Sequence, residues 1–254
     1  MAERSLRERR DDQPAYVLHA YSYRETSLIV EALTREHGRV GVVARGAKRP
    51  RSEMRGLLQA FQPLLLGWAG TGELKTLIRA EWRGGLPLPS GAALLSAFYL
   101  NELILKLVPR EDAHPGLFDA YEDALGALTR DTAPAAQAVV LRRFELRLLA
   151  ELGYALALTL EADTGAPVVA QQRYHYAFDR GPQRHAAEPP VRWPLVRGAT
   201  LIALAEERYP DAETASEAKR LMRQVLDHYL EARAIVSRRI VQDLIALDDE
   251  RDAT

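Results

Sequence analysis

Ser27-Leu-Ile-Val-Glu-Ala-Leu-Thr-Arg-Glu-His-Gly-Arg-Val-Gly-Val-Val-Ala44 is the stretch on which the fold turns. Residues 27–33 and 38–44 are rich in aliphatic and β-branched side chains, and Glu36-His37-Gly38 supplies a turn between them. That arrangement predicts two strands of a hairpin. The pattern repeats outward in both directions. Tyr16-Val-Leu-His-Ala20 is a short strand before it, and Pro63-Leu-Leu-Leu-Gly-Trp68 is one after it. Ala69-Gly-Thr-Gly72 makes a turn into a fifth strand over residues 73–81. Five short strands with a longer loop after the third suit a small closed barrel. On pattern alone an OB-fold and an SH3-like barrel fit about equally.

Beyond Gly84-Gly85, Pro87 and Pro89 the hydrophobic period becomes helical. Leu94, Leu95, Phe98, Leu100, Leu103, Ile104 and Leu107 form one apolar face, stopped by Pro109. His114-Pro115 opens a second helix with Leu117, Phe118, Tyr121, Leu125 and Leu128 inward, and Pro134 opens a third that ends at Gly153. Residues 161–197 lose the period and hold several Pro and Gly residues, apart from a weak strand at 173–178. Helices resume at 199–209 and at 214–231, where Thr214 and Glu217 have the spacing of a capping box, and a last one is expected from Ser237 to Leu247. The fold class is therefore α+β. The expected organisation is a flexible tail (1–12), a barrel (13–85), a helical domain (86–160 and 198–247), an irregular insert (161–197) and a second flexible tail (248–254).

Composition narrows the function. The chain has 254 residues, 47% hydrophobic and 27% charged, which is the make-up of a globular protein. It has no cysteine, which excludes disulfides, thiolate-bound metals and a cysteine nucleophile. The six histidines are scattered with no ligand spacing, and there is no Walker loop and no Gly-x-Ser-x-Gly elbow. No enzymatic activity, metal or cofactor is expected. An Arg-rich start without an apolar run is not a secretory signal, and no apolar stretch is long enough to span a bilayer, so a cytoplasmic location without a membrane partner is expected. Residues 1–85 hold 15 Lys and Arg against 10 Asp and Glu, a balance of +5; the remainder holds 19 against 25, a balance of −6. The anionic partner belongs to the first part.

The sharpest local signal is Arg45-Gly-Ala-Lys-Arg-Pro-Arg-Ser52 followed by Arg55. Arg45, Lys48, Arg49, Arg51 and Arg55 fall within eleven residues, with only Glu53 opposing them, and the glycine and proline place them in a loop. Such density beside a barrel is the electrostatic footprint of a nucleic-acid site, with Arg39 added from the neighbouring strand. Tyr21 and Tyr23, read as lying in a polar loop, are the side chains best placed to stack bases. The Ser27 hydroxyl beside Glu25 is read as a turn feature rather than a nucleophile. In the third helix, Arg142, Arg143 and Arg147 edge an apolar stripe, a pattern that suits either a solvated face or an acidic peptide with a hydrophobic end.

The chain resembles the RecO family of recombination mediator proteins. Val17-Leu-His-Ala20, Tyr23-Arg-Glu-Thr-Ser-Leu28, Glu36-His-Gly-Arg39 and Val43-Ala-Arg-Gly-Ala-Lys-Arg-Pro-Arg-Ser52 carry the resemblance in the first part. Arg55-Gly-Leu-Leu-Gln59, Phe61-Gln-Pro-Leu64 and Gly72-Glu-Leu-Lys-Thr-Leu77 continue it. Tyr99-Leu-Asn-Glu-Leu103, Leu141-Arg-Arg-Phe-Glu-Leu146, Leu152-Gly-Tyr154 and Ser237-Arg238 carry it through the helices. The resemblance implies an N-terminal five-stranded OB-fold and a helical domain. It also implies a small insert that many members build around zinc and four cysteines. This chain has none of those cysteines, so zinc is not expected. The implied role is non-specific binding of single- and double-stranded DNA, annealing of complementary strands, and loading of RecA with RecR onto DNA coated by single-stranded-DNA-binding protein (SSB), in the cytoplasm and on the nucleoid. DNA is assigned to Arg39, Arg45, Lys48, Arg49, Arg51, Arg55 and Tyr23. The acidic SSB tail is assigned to Arg142, Arg143, Tyr121 and Leu141. A protein-only scaffold between RecR and SSB is the alternative.

Overall fold

The computed structural model describes residues 9–85, 87–184, 190–230, 234–238 and 240. They form two compact units: one reaches residue 130 and takes in the chain again from Ile235, and the other spans Asp131–Ala234. The first unit is therefore larger than the barrel expected over 13–85, because the first two long helices belong to it.

The first unit is built on a closed barrel of OB type with strand order β1-β2-β3-β5-β4. Its strands are β1 (Arg9–Tyr23), β2 (Ser27–Thr34), β3 (Gly38–Ala44), β4 (Pro63–Ala69) and β5 (Leu74–Trp82). All pairings are antiparallel except β3 with β5. Alternation drives the fold: Ala15, Val17, Val30, Ala32, Val40, Val42, Leu64, Leu66, Trp68 and Leu77 point inward and fill the lumen. β1 closes the barrel by pairing with β2 along one part of its length and with β4 along another. It starts earlier than its apolar residues indicate. Arg9 to Asp12 are strand residues, not a tail, because ladder pairing of Arg9 and Arg10 with Ala69 and Trp68 needs only backbone groups.

A bulge between Val17 and His19 divides the outer face of β1. Before it, Tyr16 and Leu18 lie under α2 (Ala92–Leu107) and α3 (Pro115–Arg130). Tyr16 packs on Phe118 and Tyr121, and Asn101 donates to the Leu18 carbonyl at 2.9 Å. After it, His19 and Tyr21 are exposed and Tyr23 is half-buried. The link from α2 to α3 straps β3: Glu111 N–H donates to the Arg39 carbonyl at 2.9 Å. A methyl group at Gly38, which has φ +62°, would drive into the Asp112 carbonyl. The returning chain is held by Glu102, whose carboxylate accepts from the Val236 and Ser237 amides and the Ser237 hydroxyl at 2.7–2.8 Å. Of the helix expected at 237–247, residues 239 and 241–247 lie outside the described residues.

The second unit holds α4 (Pro134–Glu151), a small sheet β7-β6-β8 (Gly181–Gln183, Arg173–Ala177, Leu195–Arg197), α5 (Gly198–Ala205) and α6 (Ala212–Tyr229). α6 is capped by Asp211, whose side chain accepts from Thr214 N–H at 2.7 Å. The expected capping box is thus displaced. Glu217 instead accepts from Arg197 and from the Thr200 hydroxyl, tying α6 to the start of α5. Hydrogen bonds tie together the first part of the insert, residues 161–174. Glu161 is buried and accepts from the Thr164 hydroxyl at 2.6 Å and the Tyr174 hydroxyl at 3.1 Å, and Tyr174 in turn accepts from Val169 N–H. Among the described residues no group of three His, Cys, Asp or Glu could hold a metal.

Candidate nucleic-acid interface

The basic loop leaves β3 at Arg45 and is pinned from beneath. Ala47 is fully buried and closes one end of the barrel core. Gly46 adopts φ +70°, a left-handed turn that a side chain would strain, and the Arg49 side chain lies over it. Successive turns follow, with Arg49 N–H on the Gly46 carbonyl, Ser52 N–H on Arg49 and Arg55 N–H on Ser52 at 3.0–3.2 Å. The last of these leads into a one-turn helix, α1 (Met54–Leu57) in chain order. This backbone fixes where the charges point. Arg45, Lys48, Arg49, Arg51 and Arg55 are all exposed, and among the described residues none of them forms an ion pair.

The turn between β1 and β2 joins this surface. Lys48 N–H donates to the Thr26 carbonyl at 2.9 Å. Arg24 sits in that turn at φ +51°, with its guanidinium 5.1 Å from the centre of the Tyr23 ring. It is a sixth exposed cation on the same side, and the sequence reading passed over it. No sequence signal could have revealed it, because its place depends on the Thr26–Lys48 contact between distant segments.

Tyr23 is half-buried on β1 and paired with Ser27 of β2. Tyr21 and Tyr23 are strand residues, not loop residues. The polar stretch 19–23 is the open face of the barrel, where solvent rather than core sets the side-chain types.

Arg39 is engaged elsewhere. It bonds Glu31 at 3.0 Å and the Val108 carbonyl at 3.0 Å, and Glu31, with a side chain only 3% exposed, also takes Arg110. The burial of Glu31 requires positive partners, so Arg39 is held in the fold and is removed from the phosphate set. Arg110 is held charged by its bond to Glu31, against burial, with Glu73 and the Tyr21 phenol adding to the effect.

The residues assigned to an acidic peptide do not all come together. Tyr121 is fully buried in the first unit, bonded to Asn101 at 2.6 Å, and burial pushes its phenol far up. It is a core residue and is corrected out of the site. Leu141, Arg142 and Arg143 lie together on α4 of the second unit. Arg142 is buried and paired with Glu145, whereas Arg143 is 59% exposed and paired with Glu207. Beside them is Tyr209, whose buried hydroxyl has no partner among the described residues, as is also true of Arg142 Nε. Burial pushes the Tyr209 phenol up to about 12, with Arg142 opposing and Glu145 adding. These buried groups adjoin Arg143, whose guanidinium is exposed.

Comparisons with known proteins agree with this architecture. A family model described as Recombination protein O N terminal matches residues 10–85, and one described as Recombination protein O C terminal matches residues 88–239. A DNA repair protein RecO from Aromatoleum aromaticum is 52% identical over 241 residues, which is 94% of this chain and 98% of that protein. One from Azoarcus sp. is 47% identical over 245 residues, 96% of this chain and 100% of that protein. One from Dechloromonas aromatica is 47% identical over 241 residues, covering 94% and 98%.

Proposed function

The chain belongs to the RecO family of DNA repair proteins, and on that premise we propose that it acts by binding rather than by turnover. It holds single- and double-stranded DNA without reading sequence, anneals complementary strands, and with RecR helps load RecA onto SSB-coated DNA. It works in the cytoplasm on the nucleoid. No helix among the described residues is long and apolar enough to cross a membrane.

The observation that supports this reading most is the set of exposed, unpaired cations on a pinned loop. Arg24, Arg45, Lys48, Arg49, Arg51 and Arg55 meet phosphates and release condensed counterions, and Tyr23 supports Arg24 by lying under it. Cations held in place carry no sequence information, which fits a protein that must act on any DNA. Neutralising two strands on one surface lowers their mutual repulsion and lets complementary bases meet. On α4, Arg143 and the buried donors of Arg142 and Tyr209 receive the acidic SSB tail, with Leu141 contributing apolar surface.

A strand-annealing assay on SSB-coated complementary strands tests the whole reading. The wild-type protein accelerates annealing, and a variant with Lys48→Glu, Arg49→Glu and Arg51→Glu does not. Equal rates from the two proteins would leave only the scaffold between RecR and SSB, and a DNA titration without partners would then show no binding.

A further inference from the structure

We propose that the groove between α3 and the chain leaving β5 binds a nucleoside monophosphate, with Arg83 and Arg130 on its phosphate and Trp82 on its base. The site lies wholly within the first unit and uses none of the loop cations, so it goes beyond the reading of the loop.

The groove follows from a missing side chain. Its volume is about 370 Å³, within the range of small-molecule sites. One wall is α3, where Glu122, Gly126 and Arg130 recur every fourth residue and so share a face. Gly126 leaves a gap in that face. Arg130 folds back over it, with a guanidinium nitrogen 3.4 Å from where a Cβ would stand. The other wall is Arg83-Gly84-Gly85 with Pro63. At the floor is buried Tyr16, whose hydroxyl donates to Glu122 at 2.8 Å. Burial and that carboxylate push the Tyr16 phenol up, so it stays a donor and holds Glu122 in place. The Arg83 guanidinium stands 3.8 Å from the same carboxylate. Glu122 and Gly126 differ by about 6 Å of helical rise. The two guanidiniums therefore stand at adjacent turns of α3, one from each wall.

Charge and exposure choose the ligand. The Arg130 and Asp123 side chains form no ion pair or hydrogen bond among the described residues, and Arg83 is too far from Glu122 for a hydrogen bond. Guanidiniums from opposite walls suit a tetrahedral group with several acceptor oxygens. Asp123, also in the groove, accepts from sugar hydroxyls, as an acidic residue does beside a ribose. Trp82 stands at the rim and is 59% exposed. Its indole N–H donates to Gln62 Oε1 at 3.1 Å, which fixes the ring. The ring lies so close to Gly85, a residue of the groove, that a Cβ there would come within 2.7 Å of it. An exposed, fixed indole beside a phosphate seat is a place for a planar base to stack. The two carboxylates balance the two guanidiniums, so the groove suits one phosphate and disfavours a triphosphate.

The test is isothermal titration of the full-length protein with AMP, dAMP, adenosine and inorganic phosphate at matched low salt. AMP binds once per chain and more tightly than adenosine or phosphate. Arg130→Gln weakens AMP about tenfold or more and leaves adenosine within about twofold. Trp82→Leu weakens AMP by roughly 5- to 150-fold and leaves phosphate unchanged, whereas Trp82→Phe, which retains a ring, recovers most of the affinity. Asp123→Ala removes the preference for AMP over dAMP. The proposal is overturned if AMP gives no saturable heat, or if Arg130→Gln and Trp82→Leu bind it as the wild type does. If Trp82→Leu melts early, Arg130→Gln, at the exposed end of α3, decides alone. The variant with Lys48→Glu, Arg49→Glu and Arg51→Glu keeps AMP binding. If it loses AMP while Arg130→Gln keeps it, the nucleotide sits on the loop, and the groove fails while the phosphate reading of the loop stands. The same variant separates the sources of the nucleotide by displacement of fluorescent AMP. Displacement by end-phosphorylated oligo(dT) but not by the unphosphorylated strand supports the groove with a strand end as its occupant. Displacement by neither supports it with the free nucleotide, and equal displacement by both overturns the phosphate seat.

Discussion

The backbone N–H of Lys48 donates to the carbonyl of Thr26, and this 2.9 Å contact makes one surface of two loops 22 residues apart. Arg24 comes from the first loop, just after Tyr23 at the end of β1, and Arg45, Lys48, Arg49, Arg51 and Arg55 from the second. The contact fixes the position of the charges.

Gly46→Val tests that position without touching a charge. A β-branched residue at φ +70° costs about 1–3 kcal/mol and shifts the turn that seats Ala47. Urea unfolding should show that loss, and affinity for duplex DNA should fall several-fold at low salt. Wild-type affinity would mean that loop geometry is immaterial.

Arg39→Met separates a structural arginine from a phosphate-binding one. Glu31 loses one of its two guanidinium partners, so stability should drop by about 3 kcal/mol or more. DNA affinity of the folded variant should stay within about twofold. A tenfold loss of affinity with the fold intact would return Arg39 to the phosphate set.

Glu102 gives a pH dependence. Burial pushes its carboxyl up, but hydrogen bonds from Ser237, Lys106 and Val236 outweigh this and hold it below its ordinary value of 4.5. A carboxylate depressed on folding adds stability that is complete above 4.5 and is lost as pH falls through the lower folded value. The gap in urea midpoint between wild type and Glu102→Gln should therefore be largest near neutrality and close in acid. A gap independent of pH would mean that ionisation is not what holds residues 236–238.

Arg143 is the better probe of the peptide seat, since replacing buried Arg142 also disturbs Glu145. Arg143→Ala should weaken an acidic peptide with an apolar C-terminal residue about tenfold or more by isothermal titration. Glu207 occupies Arg143 in the free protein, so Glu207→Gln should tighten the same peptide. Unchanged binding by both variants would move the seat elsewhere.

The barrel was legible because Val30, Ala32, Val40 and Val42 alternate cleanly with outward residues. The helix starts at Pro115 and Pro134 were legible because proline is tolerated at a first turn. Residues 9–12 were not, since their pairing is made by backbone alone. The unit boundary was not legible either. α2 and α3 have the same period as α4, and nothing in periodicity says that Tyr16 and Leu18 are what α2 and α3 cover. The loop cations could be read from composition, but the diversion of Arg39 to Glu31 and of Tyr121 to Asn101 depends on burial, which spacing does not report. The order of the insert also escaped the sequence, because it rests on Glu161 and Tyr174, a pair of ordinary residues 13 positions apart.

Phosphate neutralisation by the pinned cations, proposed above, leaves a signature in the salt dependence of binding. The most direct measurement is the affinity for duplex DNA and oligo(dT) across a salt series, comparing wild type with Lys48→Glu, Arg49→Glu, Arg51→Glu. Weaker binding is expected at every salt concentration, with a flatter dependence of log K on log salt, by roughly 0.9 per lost contact on duplex and 0.7 on single strands. Affinity and slope both unchanged would contradict it.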